Sequence, residues 1–336
     1  MRVGSVGYAT EQGLGHLMKW FYDEQIITDV LLVTHSRHKA QPQWYPPDTQ
    51  FINPRSITGP AVDEFLSKVG VVLFFETCYD WGFPALCRAR GVKTVMVPMC
   101  EWYPERPRAV FDKVICPSLL DQHYFPGSPF LQVPVPRAIR WRRRERAFRY
   151  LHNAGHVGHR EHKGTRQLLE ALRHCERPLS LTVRCQYDGP VRDMAESSGV
   201  YGDSRLFLEH GGVPYGELFA SHDVYVAPEK LNGLSLPLLE AYASGMLVIT
   251  TDRFPANAWL RPAEALVPPS ATEMVRVGSN CFKVEECTVD PRALASVMDR
   301  WYDRELGAYS DAAGAWAAEN SWDVLGPKWR EEIYNA

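Results

Sequence analysis

The stretch Asp223–Asp252 reads DVYVAPEKLNGLSLPLLEAYASGMLVITTD, and it decides the fold of the chain. A short apolar run, Val224–Ala227, is followed by a loop with Gly233, a helical pattern over Leu236–Ser244 and a second apolar run, Leu247–Thr250. Strands that are apolar on both faces and alternate with helices are typical of a parallel sheet covered by helices on both sides. The stretch therefore predicts a βαβ unit of an α/β domain.

The same alternation of apolar runs and helical patterns continues in both directions along the 336 residues. It predicts a first series of strands at Val3–Tyr8, Asp29–Thr34, Val71–Phe75, Thr94–Pro98 and Lys113–Cys116. A second series begins at Phe148–Asn153, after a segment rich in Pro and Arg, and includes the quoted stretch. We therefore expect two Rossmann-like doubly wound domains, 1–136 and 148–318, joined by a linker at 137–147. They should face a cleft, because ligands of such sheets bind beyond the carboxyl ends of the strands.

Composition and charge narrow the class of protein. The 37 Lys and Arg residues are matched by 40 Asp and Glu residues, and this balance argues against a protein that coats nucleic acid through positive charge alone. No apolar run approaches the ~18 residues that span a bilayer, and the start, MRVGSVGY, has no signal-peptide core, so we expect neither a membrane span nor secretion. The eight cysteines form no CxxC pair, so we expect reduced thiols in a cytoplasmic protein rather than a zinc finger.

The quoted stretch also contains a candidate anion site. Its helix should begin near Ser235, and a helix start presents free backbone N–H groups with about half a positive charge, which suits a diphosphate. Glu240 follows one turn later, close enough to reach a ribose joined to that diphosphate. The alternative is that Gly233 only makes a turn and that Glu240 is a solvated helix residue. The residues alone leave both interpretations open.

The same stretch resembles the signature of the family 4 retaining glycosyltransferases, which have the GT-B fold. That signature has Asp-x4-Pro and then Glu-Gly-x-Gly-Leu-x3-Glu-Ala-x-Ala-x-Gly-x-Pro-Val-Ile. The chain matches it at Asp223, Pro228, Gly233, Leu236, Glu240, Ala241, Ala243, Gly245, Val248 and Ile249. Two positions depart from it, because Asn232 replaces the first glutamate and Ser235 replaces the second glycine. The resemblance implies a GT-B enzyme whose donor substrate is a nucleotide-diphosphate sugar and which uses no other cofactor.

The resemblance also implies roles for individual residues of this stretch. Glu240 would bind the donor ribose, and the neighbours that would line the donor site are Gly233, Leu234, Ser235 and Leu236. In the family the first glutamate touches the transferred sugar, so Asn232 is a catalytic candidate that can still hydrogen-bond sugar hydroxyls. Asn232 carries no charge, however, and so cannot act as a carboxylate that stabilises a cationic transition state. Glu229 lies three residues earlier and is the alternative carboxylate, but its position does not coincide with that of the signature's first glutamate.

A second motif, His152–Leu169, reads HNAGHVGHREHKGTRQLL. It resembles the family's strand, glycine-rich turn, Arg and Lys-Gly helix start, which implies that Lys163 and Arg160 grip the donor diphosphate beside Gly155. Such cations would offset the negative charge that the nucleoside diphosphate gains as the glycosidic bond breaks; a solvent-facing basic turn is the alternative. The four histidines at 152, 156, 159 and 162 do not share a helix face, so we expect no metal site and exposed or supporting histidines.

The first half of the chain holds weaker candidates. Gly13 and Gly15 form a short glycine loop, where the resemblance implies a close approach to the donor and a tight turn is the alternative. Glu76 and Glu101 both end predicted strands, and Glu101 is a catalytic candidate. A cap of the following helix is the alternative for both, and above all for Glu76. The acceptor-binding candidates are Glu76, Trp81 and Trp102.

Two further segments bear on partners and packing. Seven arginines lie within 131–149, and they either track phosphates or pair with surface carboxylates in a linker, which we favour. The chain end predicts amphipathic helices, and the resemblance implies that a last helix, 319–336, crosses back onto the N-terminal domain. Its tryptophans would then be packing anchors.

These motifs predict a glycosyltransferase that moves a sugar, a hexose by expectation, from a donor such as a UDP- or GDP-sugar to an acceptor hydroxyl. The resemblance implies retention of configuration, and the lack of an Asp-x-Asp sequence favours chemistry without a metal. The acceptor stays open between a glycan, a protein, a small molecule and, as for some phage transferases, a hydroxylated base of DNA. Asn232 motivates a second alternative, a nucleotide-sugar-binding protein impaired in catalysis.

Overall fold

The computed structural model describes residues 1–34, 39–105, 110–155, 161–187 and 189–336. These residues form two compact units. The first unit consists of Met1–Pro134, Arg276–Lys283 and Trp322–Ala336, and the second of Val135–Val275 and Val284–Ser321. Each unit contains a six-stranded sheet, and the described pairings between neighbouring strands are parallel. The predicted α/β class with two parallel sheets is therefore confirmed.

The sheet of the first unit has the strand order β3-β2-β1-β4-β5-β6. Its strands are β1 Val3–Gly7, β2 Asp29–Val33, β3 Phe51–Ile52, β4 Val71–Glu76, β5 Lys93–Pro98 and β6 Lys113–Val114. Its helices are α1 Gly13–Asp23, α2 Pro60–Lys68, α3 Phe83–Ala89, α4 Leu119–Tyr124 and, from the chain end, α11 Trp322–Tyr334. All five residues of β1 are buried, as the apolar sequence of a central strand predicts.

Aromatic packing anchors the last helix within the first unit. The ring of Phe21 on α1 meets the indoles of Trp322 and Trp329 edge to face, at centroid distances of 5.1 and 4.9 Å. Trp329 is fully buried and also donates its indole N–H to the carbonyl oxygen of Gln132 at 3.0 Å. Buried aromatic rings contribute strongly to packing, so these two tryptophans hold α11 in place.

The sheet of the second unit has the order β12-β11-β10-β7-β8-β9. Its strands are β7 Arg149–Gly155, β8 Ser180–Cys185, β9 Leu206–His210, β10 Val224–Ala227, β11 Leu247–Thr251 and β12 Leu266–Val267. Its helices are α5 Thr165–Leu172, α6 Pro190–Ser197, α7 Leu236–Ala243, α8 Ala256–Trp259, α9 Pro291–Trp301 and α10 Gly307–Glu319. The βαβ unit predicted from the quoted stretch is present as β10, α7 and β11.

Some elements differ from the sequence-based expectations. Pro269–Arg276 and Lys283–Val289 form a two-stranded sheet, β13 and β14, which the apolar pattern did not predict because β13 is exposed over most of its length. The pattern over Tyr215–Ser221 predicts a helix, but the structure has only a 3₁₀ turn there, Tyr215–Glu217. The segment 276–283 between β13 and β14 belongs to the first unit.

The arginine-rich segment is bound to its own unit. Four of its guanidinium groups have partners there: Arg143 with Asp311 at 3.0 Å, Arg144 with the carbonyl oxygen of Phe219 at 2.8 Å, Arg146 with Asp303 at 2.8 Å and Arg149 with Asp223 at 2.7 Å. Pairing with carboxylates and carbonyl oxygens favours the linker interpretation over phosphate tracking. Arg144 is buried, so it is unavailable to a nucleic acid.

Two further properties of the fold concern the state of the cysteines and the length of the helices. All eight cysteines are free and buried. Among the helices that the structure describes, none is both long and apolar enough to cross a membrane.

Candidate functional site

The candidate site lies at the carboxyl ends of β7 and β10, which pair in parallel in the second sheet. The strand order reverses between them, because β7 has β8 on one side and β10 on the other. Open α/β sheets bind ligands beyond such a reversal. Two loops meet there, 161–164 before α5 and 228–235 before α7. The backbone N–H of Lys230 joins them by donating to the carbonyl oxygen of His162 at 2.8 Å.

Gly164 brings the two loops into backbone contact. Its φ is +71°, in the left-handed region, and a Cβ there would lie 2.1 Å from the carbonyl oxygen of Pro228. No side chain fits in that space, so the Lys-Gly pair of the second motif has a steric reason in this fold. The glycine precedes the first residue of α5, Thr165.

Lys163 extends back along the carboxyl end of β7. Its Nζ donates to the carbonyl oxygen of Asn153 at 3.3 Å and lies 3.2 Å from where a Cβ on Gly155 would be. Burial lowers the pKa of Lys163, and the nearby charges of Glu229 and Glu240 oppose that shift. The structure therefore groups Lys163, Gly155 and Glu240 around one point.

Glu240 is buried on α7, and its carboxyl is bound by a tyrosine. The hydroxyl of Tyr215 donates to Oε1 of Glu240 at 2.5 Å. Burial raises the pKa of Glu240 to about 8, although the hydrogen bond from Tyr215 and the charge of Lys163 both lower it. This carboxyl therefore changes its charge close to neutral pH.

The loop before α7 is organised by a buried ion pair. Glu229 and Arg253 lie 3.4 Å apart, with side chains that are only 1% and 3% exposed. Glu229 also accepts a hydrogen bond from the hydroxyl of Ser235 at 2.7 Å, and Arg253 donates to the carbonyl oxygen of Asn232 at 2.9 Å. The carboxylate of Glu229 is thus used inside the loop, which agrees with the register argument against it as the missing glutamate.

The two departures from the family signature are bonded to each other. Oδ1 of Asn232 accepts the backbone N–H of Ser235 at 2.8 Å. Ser235 has φ 44° and ψ 64°, so it keeps the left-handed conformation for which glycine is best suited. The N–H of Ser235, expected to be free at the helix start, is therefore capped by Asn232. A contact between Asn232 and a sugar stays a prediction, as do donor contacts by Gly233, Leu234 and Leu236, which share this loop and helix start.

Within the second motif, His152 has the supporting position that is one of the two alternatives for these histidines. It is fully buried, and its ring nitrogens bond the carbonyl oxygen of Val226 at 2.7 Å and the hydroxyl of Thr165 at 2.8 Å. Burial lowers the pKa of His152 to about 4, so it is a neutral link between β7, β10 and α5. Arg160, predicted to be the second cation, lies outside the described residues, as do His156 and His159.

Two contributors to the site were missed at the sequence level. Tyr215 lies 25 positions before its partner Glu240, and Arg253 lies 24 positions after its partner Glu229. Neither belongs to a local motif, and only the topology brings each to its partner. Of these two residues, Tyr215 had a weak signal in the sequence. It lies beside Gly216 in a loop after a strand, and functional residues are often found in loops.

The remaining candidates belong to the first unit. Gly13 is exposed at the start of α1, whereas a Cβ on Gly15 would lie 2.1 Å from the carbonyl oxygen of Thr10. Local packing of α1 on residue 10 thus accounts for Gly15 without a ligand. Trp81 packs edge to face on Tyr103 at 5.5 Å and lines a cavity of about 560 Å³. Trp102 is 46% exposed and does not belong to the described lining of that cavity.

Glu76 and Glu101 are the two candidate carboxylates of the first unit, and they lie in a strained and in a buried position, respectively. Glu76 ends β4 with φ 67°, and burial together with the charge of Glu101 raises its pKa to about 7. Glu101 is only 4% exposed and lies beside Cys100 and Asp121, and among the described residues these three side chains have the spacing of metal ligands. Asp121 is already used, because it accepts the N–H of Cys100 at 2.8 Å and the hydroxyl of Ser118 at 2.5 Å. This group therefore ties the end of β5 to α4.

Comparison with family models and with known proteins places this geometry in context. Residues 149–298 match the model described as "Glycosyl transferases group 1". That range begins at β7 and includes both loops of the candidate site. No curated protein sequence matches the chain.

Solved structures similar to the whole chain share its fold at low sequence identity. A glycosyltransferase from Rickettsia africae ESF-5 is 11% identical with a TM-score of 0.69, and the match covers 99% of each chain. Anabaena HepE, solved with UDP, is 10% identical with a TM-score of 0.68, and the match covers 100% of each chain. The sucrose-phosphate synthase of Thermosynechococcus elongatus is 13% identical with a TM-score of 0.65, again with 100% of each chain covered. Residues 149–298 thus match a glycosyltransferase group 1 domain, and the chain as a whole has the GT-B fold of these solved structures.

Proposed function

We propose that the chain transfers a hexosyl group from a UDP-sugar to an acceptor hydroxyl and that its second unit binds the donor. One observation carries the proposal: the loop that bears Lys163 and the loop that leads to Glu240 on α7 meet at the reversal of strand order, where the Lys230 N–H donates to the carbonyl oxygen of His162 at 2.8 Å. The HepE structures with UDP and with UDP-glucose support uridine as the nucleoside and a hexose as the sugar.

Lys163 is the proposed ligand of the donor diphosphate. Its ammonium group has three hydrogens to donate, and its one described hydrogen bond, to Asn153, is long at 3.3 Å. A diphosphate beside Nζ would favour the protonated amine, because an opposite charge stabilises the charged form. The same charge would stabilise UDP as it leaves, and for this reason we propose that the step needs no divalent metal.

We further propose that transfer retains the configuration of the sugar, as the resemblance to family 4 implies. In that mechanism the leaving phosphate oxygen accepts the proton of the acceptor hydroxyl on the same face of the sugar. No protein base is then required. The use of Glu229 by Ser235 and Arg253 agrees with this, because that carboxylate is committed inside the loop.

Glu240 is the proposed ligand of the donor ribose. An ionised carboxylate accepts hydrogen bonds from hydroxyl groups, and two vicinal ribose hydroxyls suit its two oxygens. Glu240 lies on α7 about one turn after Ser235, at the position where the family signature has its ribose-binding glutamate.

The first unit is the proposed site of the acceptor. The cavity lined by Trp81 has an aromatic wall and polar groups from Glu105 and Asn280, a combination that binds hydroxylated molecules. Glu76, strained at the end of β4, and the exposed Trp102 are further acceptor-binding proposals. We also propose that the protein works in the cytoplasm, because eight free buried cysteines suit a reducing compartment.

A second candidate function is nucleotide-sugar binding without transfer. The observation that favours it is the hydrogen bond from the Ser235 N–H to Asn232, because it occupies the side chain that stands where the family has its sugar-contacting glutamate. Such a protein would bind UDP-glucose and would release no UDP from it.

Titration calorimetry with UDP and a UDP-release assay with UDP-glucose test these proposals together. We expect wild-type protein to bind UDP and Lys163→Ala to bind it about 10- to 100-fold more weakly, as for the loss of a charge-assisted hydrogen bond. Lys68→Ala, which removes an exposed lysine of the first unit, is the matched control. UDP affinity equal in wild type and Lys163→Ala would contradict the proposed site, whereas binding without UDP release would favour the second candidate.

A further inference from the structure

Tyr215 belongs to no part of the family signature, yet it is bonded to the carboxyl that the proposed function assigns to the ribose. Its hydroxyl donates to Oε1 of Glu240 at 2.5 Å, and among the described residues it is the one group that donates a hydrogen bond to this carboxyl. Glu240 itself is only 5% exposed. An O–H···O⁻ bond of this length is of the strong, charge-assisted kind when the carboxyl is ionised.

The turn that carries Tyr215 is fixed at several points. The N–H of Glu217 donates to the carbonyl oxygen of Pro214 at 2.8 Å and closes the turn. A Cβ on Gly216 would lie 3.1 Å from the carbonyl oxygen of Ala138, so the turn packs closely on the start of the second unit. The ring of Tyr215 packs against the apolar cluster that also contains Leu239 of α7. The hydroxyl is therefore presented to Glu240 by a rigid support.

We propose that Tyr215 is a positioning residue, which holds one carboxyl oxygen of Glu240 so that the other is turned towards the donor ribose. The inference rests on the proposed function of Glu240. A glutamate side chain has three rotatable bonds, and fixing one oxygen removes rotamers that would otherwise be lost on binding. Tyr215 acts through Glu240 and needs no contact with the donor.

The same bond couples donor binding to pH. A ribose hydroxyl donates to an ionised carboxylate, so affinity rises as Glu240 loses its proton. Burial raises the pKa of Glu240, and Tyr215 and Lys163 lower it. The third group that faces this carboxyl is Tyr225 on β10, whose own pKa is raised by burial and by the charges of Glu229 and Glu240. Of these three groups, Tyr215 is the one described as donating a hydrogen bond to Glu240. The substitution Tyr215→Phe removes this donor by deleting a single oxygen atom.

The test is UDP calorimetry from pH 6 to pH 10 on wild type, Tyr215→Phe, Glu240→Gln and the double variant. Tyr215→Phe keeps the ring and its packing, and it should raise the midpoint of the affinity profile by about one pH unit and weaken UDP binding about tenfold at pH 7. On the Glu240→Gln background the same change should have little effect, because no charge is left to hold. Glu240→Gln also supplies the baseline for the ionisation of UDP itself.

Tyr201→Phe is the matched control, because Tyr201 is 55% exposed in the same unit. A merely structural role of Tyr215 would lower the melting temperature without moving the midpoint. Equal midpoints in wild type and Tyr215→Phe would overturn the positioning role, and so would an equal loss on the Glu240→Gln background. Wild-type protein that binds no UDP would instead overturn the proposed function on which the inference rests.

Discussion

The buried pair of Glu229 and Arg253 permits a sharp test of what shapes the loop before α7. Replacing Arg253 by Met keeps a long apolar side chain and removes the guanidinium. That group donates to the carboxylate of Glu229 at 3.4 Å, to the carbonyl oxygen of the same residue at 3.2 Å and to the carbonyl oxygen of Asn232 at 2.9 Å. The change therefore removes one of two donors from the Glu229 carboxylate, which keeps the Ser235 hydroxyl. It also removes a donor from three carbonyl oxygens, those of Glu229, Asn232 and Phe254.

The expected cost follows from these contacts. Breaking a buried ion pair from one side destabilises by about 3–5 kcal/mol, because the remaining charge stays buried without compensation. Since the pair distance of 3.4 Å is long and the Ser235 hydroxyl still bonds the carboxylate, the ion pair itself favours the lower end of that range. The three lost contacts with carbonyl oxygens add to the cost. We expect Arg253→Met to lower the free energy of unfolding by about 3–4 kcal/mol at pH 7.

Urea denaturation of a double-mutant cycle measures this cost. Glu229→Gln removes the charge, so Arg253→Met should cost about 1–2 kcal/mol less on that background than alone. Arg143, whose partners Glu145 and Asp311 are exposed, gives the surface control: Arg143→Met should cost much less than Arg253→Met, because solvent screens an exposed ion pair. Additive effects of Glu229→Gln and Arg253→Met would refute the reasoning, because they would mean that the two groups do not interact.

Two further predictions concern glycine and glutamate positions of the same site. In urea denaturation, Gly164→Ala should lower the free energy of unfolding by about 3 kcal/mol or more, whereas Gly199→Ala should lower it by only about 1–2 kcal/mol. Both glycines have a positive φ, but only at Gly164 does the new Cβ lie 2.1 Å from an oxygen atom. Glu240→Gln should stabilise the ligand-free protein by roughly 2–5 kcal/mol at pH 9 and by little at pH 4, because a pKa raised to about 8 in the folded state makes ionisation above that pH costly to stability. Equal stabilities of wild type and Glu240→Gln at pH 9 would contradict the burial of this charge.

The parts of the fold that local pattern determines were predictable. The stretch Asp223–Asp252 forms β10, α7 and β11 because its apolar runs are buried on both faces, and Pro237 suits the first turn of the helix. The strands β13 and β14 were not predicted, because β13 consists mostly of exposed residues and therefore has no apolar run. Residues 36–60 are rich in Pro, Gln and Asp, which is typical of a long loop. The short strand Phe51–Ile52 within this range was not predicted, because two residues carry no periodicity.

The residues of the candidate site also separate into those that local motifs predict and those that they do not. Lys163 and Glu240 stand in motifs and could be named from them, whereas Tyr215 and Arg253 reach the site only through the topology. The use of Asn232 as a cap of Ser235 also could not be foreseen, because a signature aligns residue types and does not give the conformation in which they meet.

The chain passes between its two units at four places, since the first unit is assembled from 1–134, 276–283 and 322–336. A fragment that stops at Pro134 would lack both indoles that enclose Phe21 and would expose an apolar ring that the intact protein buries. Chimeras that exchange the first unit with that of another GT-B protein therefore have to carry all three segments as a set. A single crossover point would combine one enzyme's sheet with a foreign closing helix.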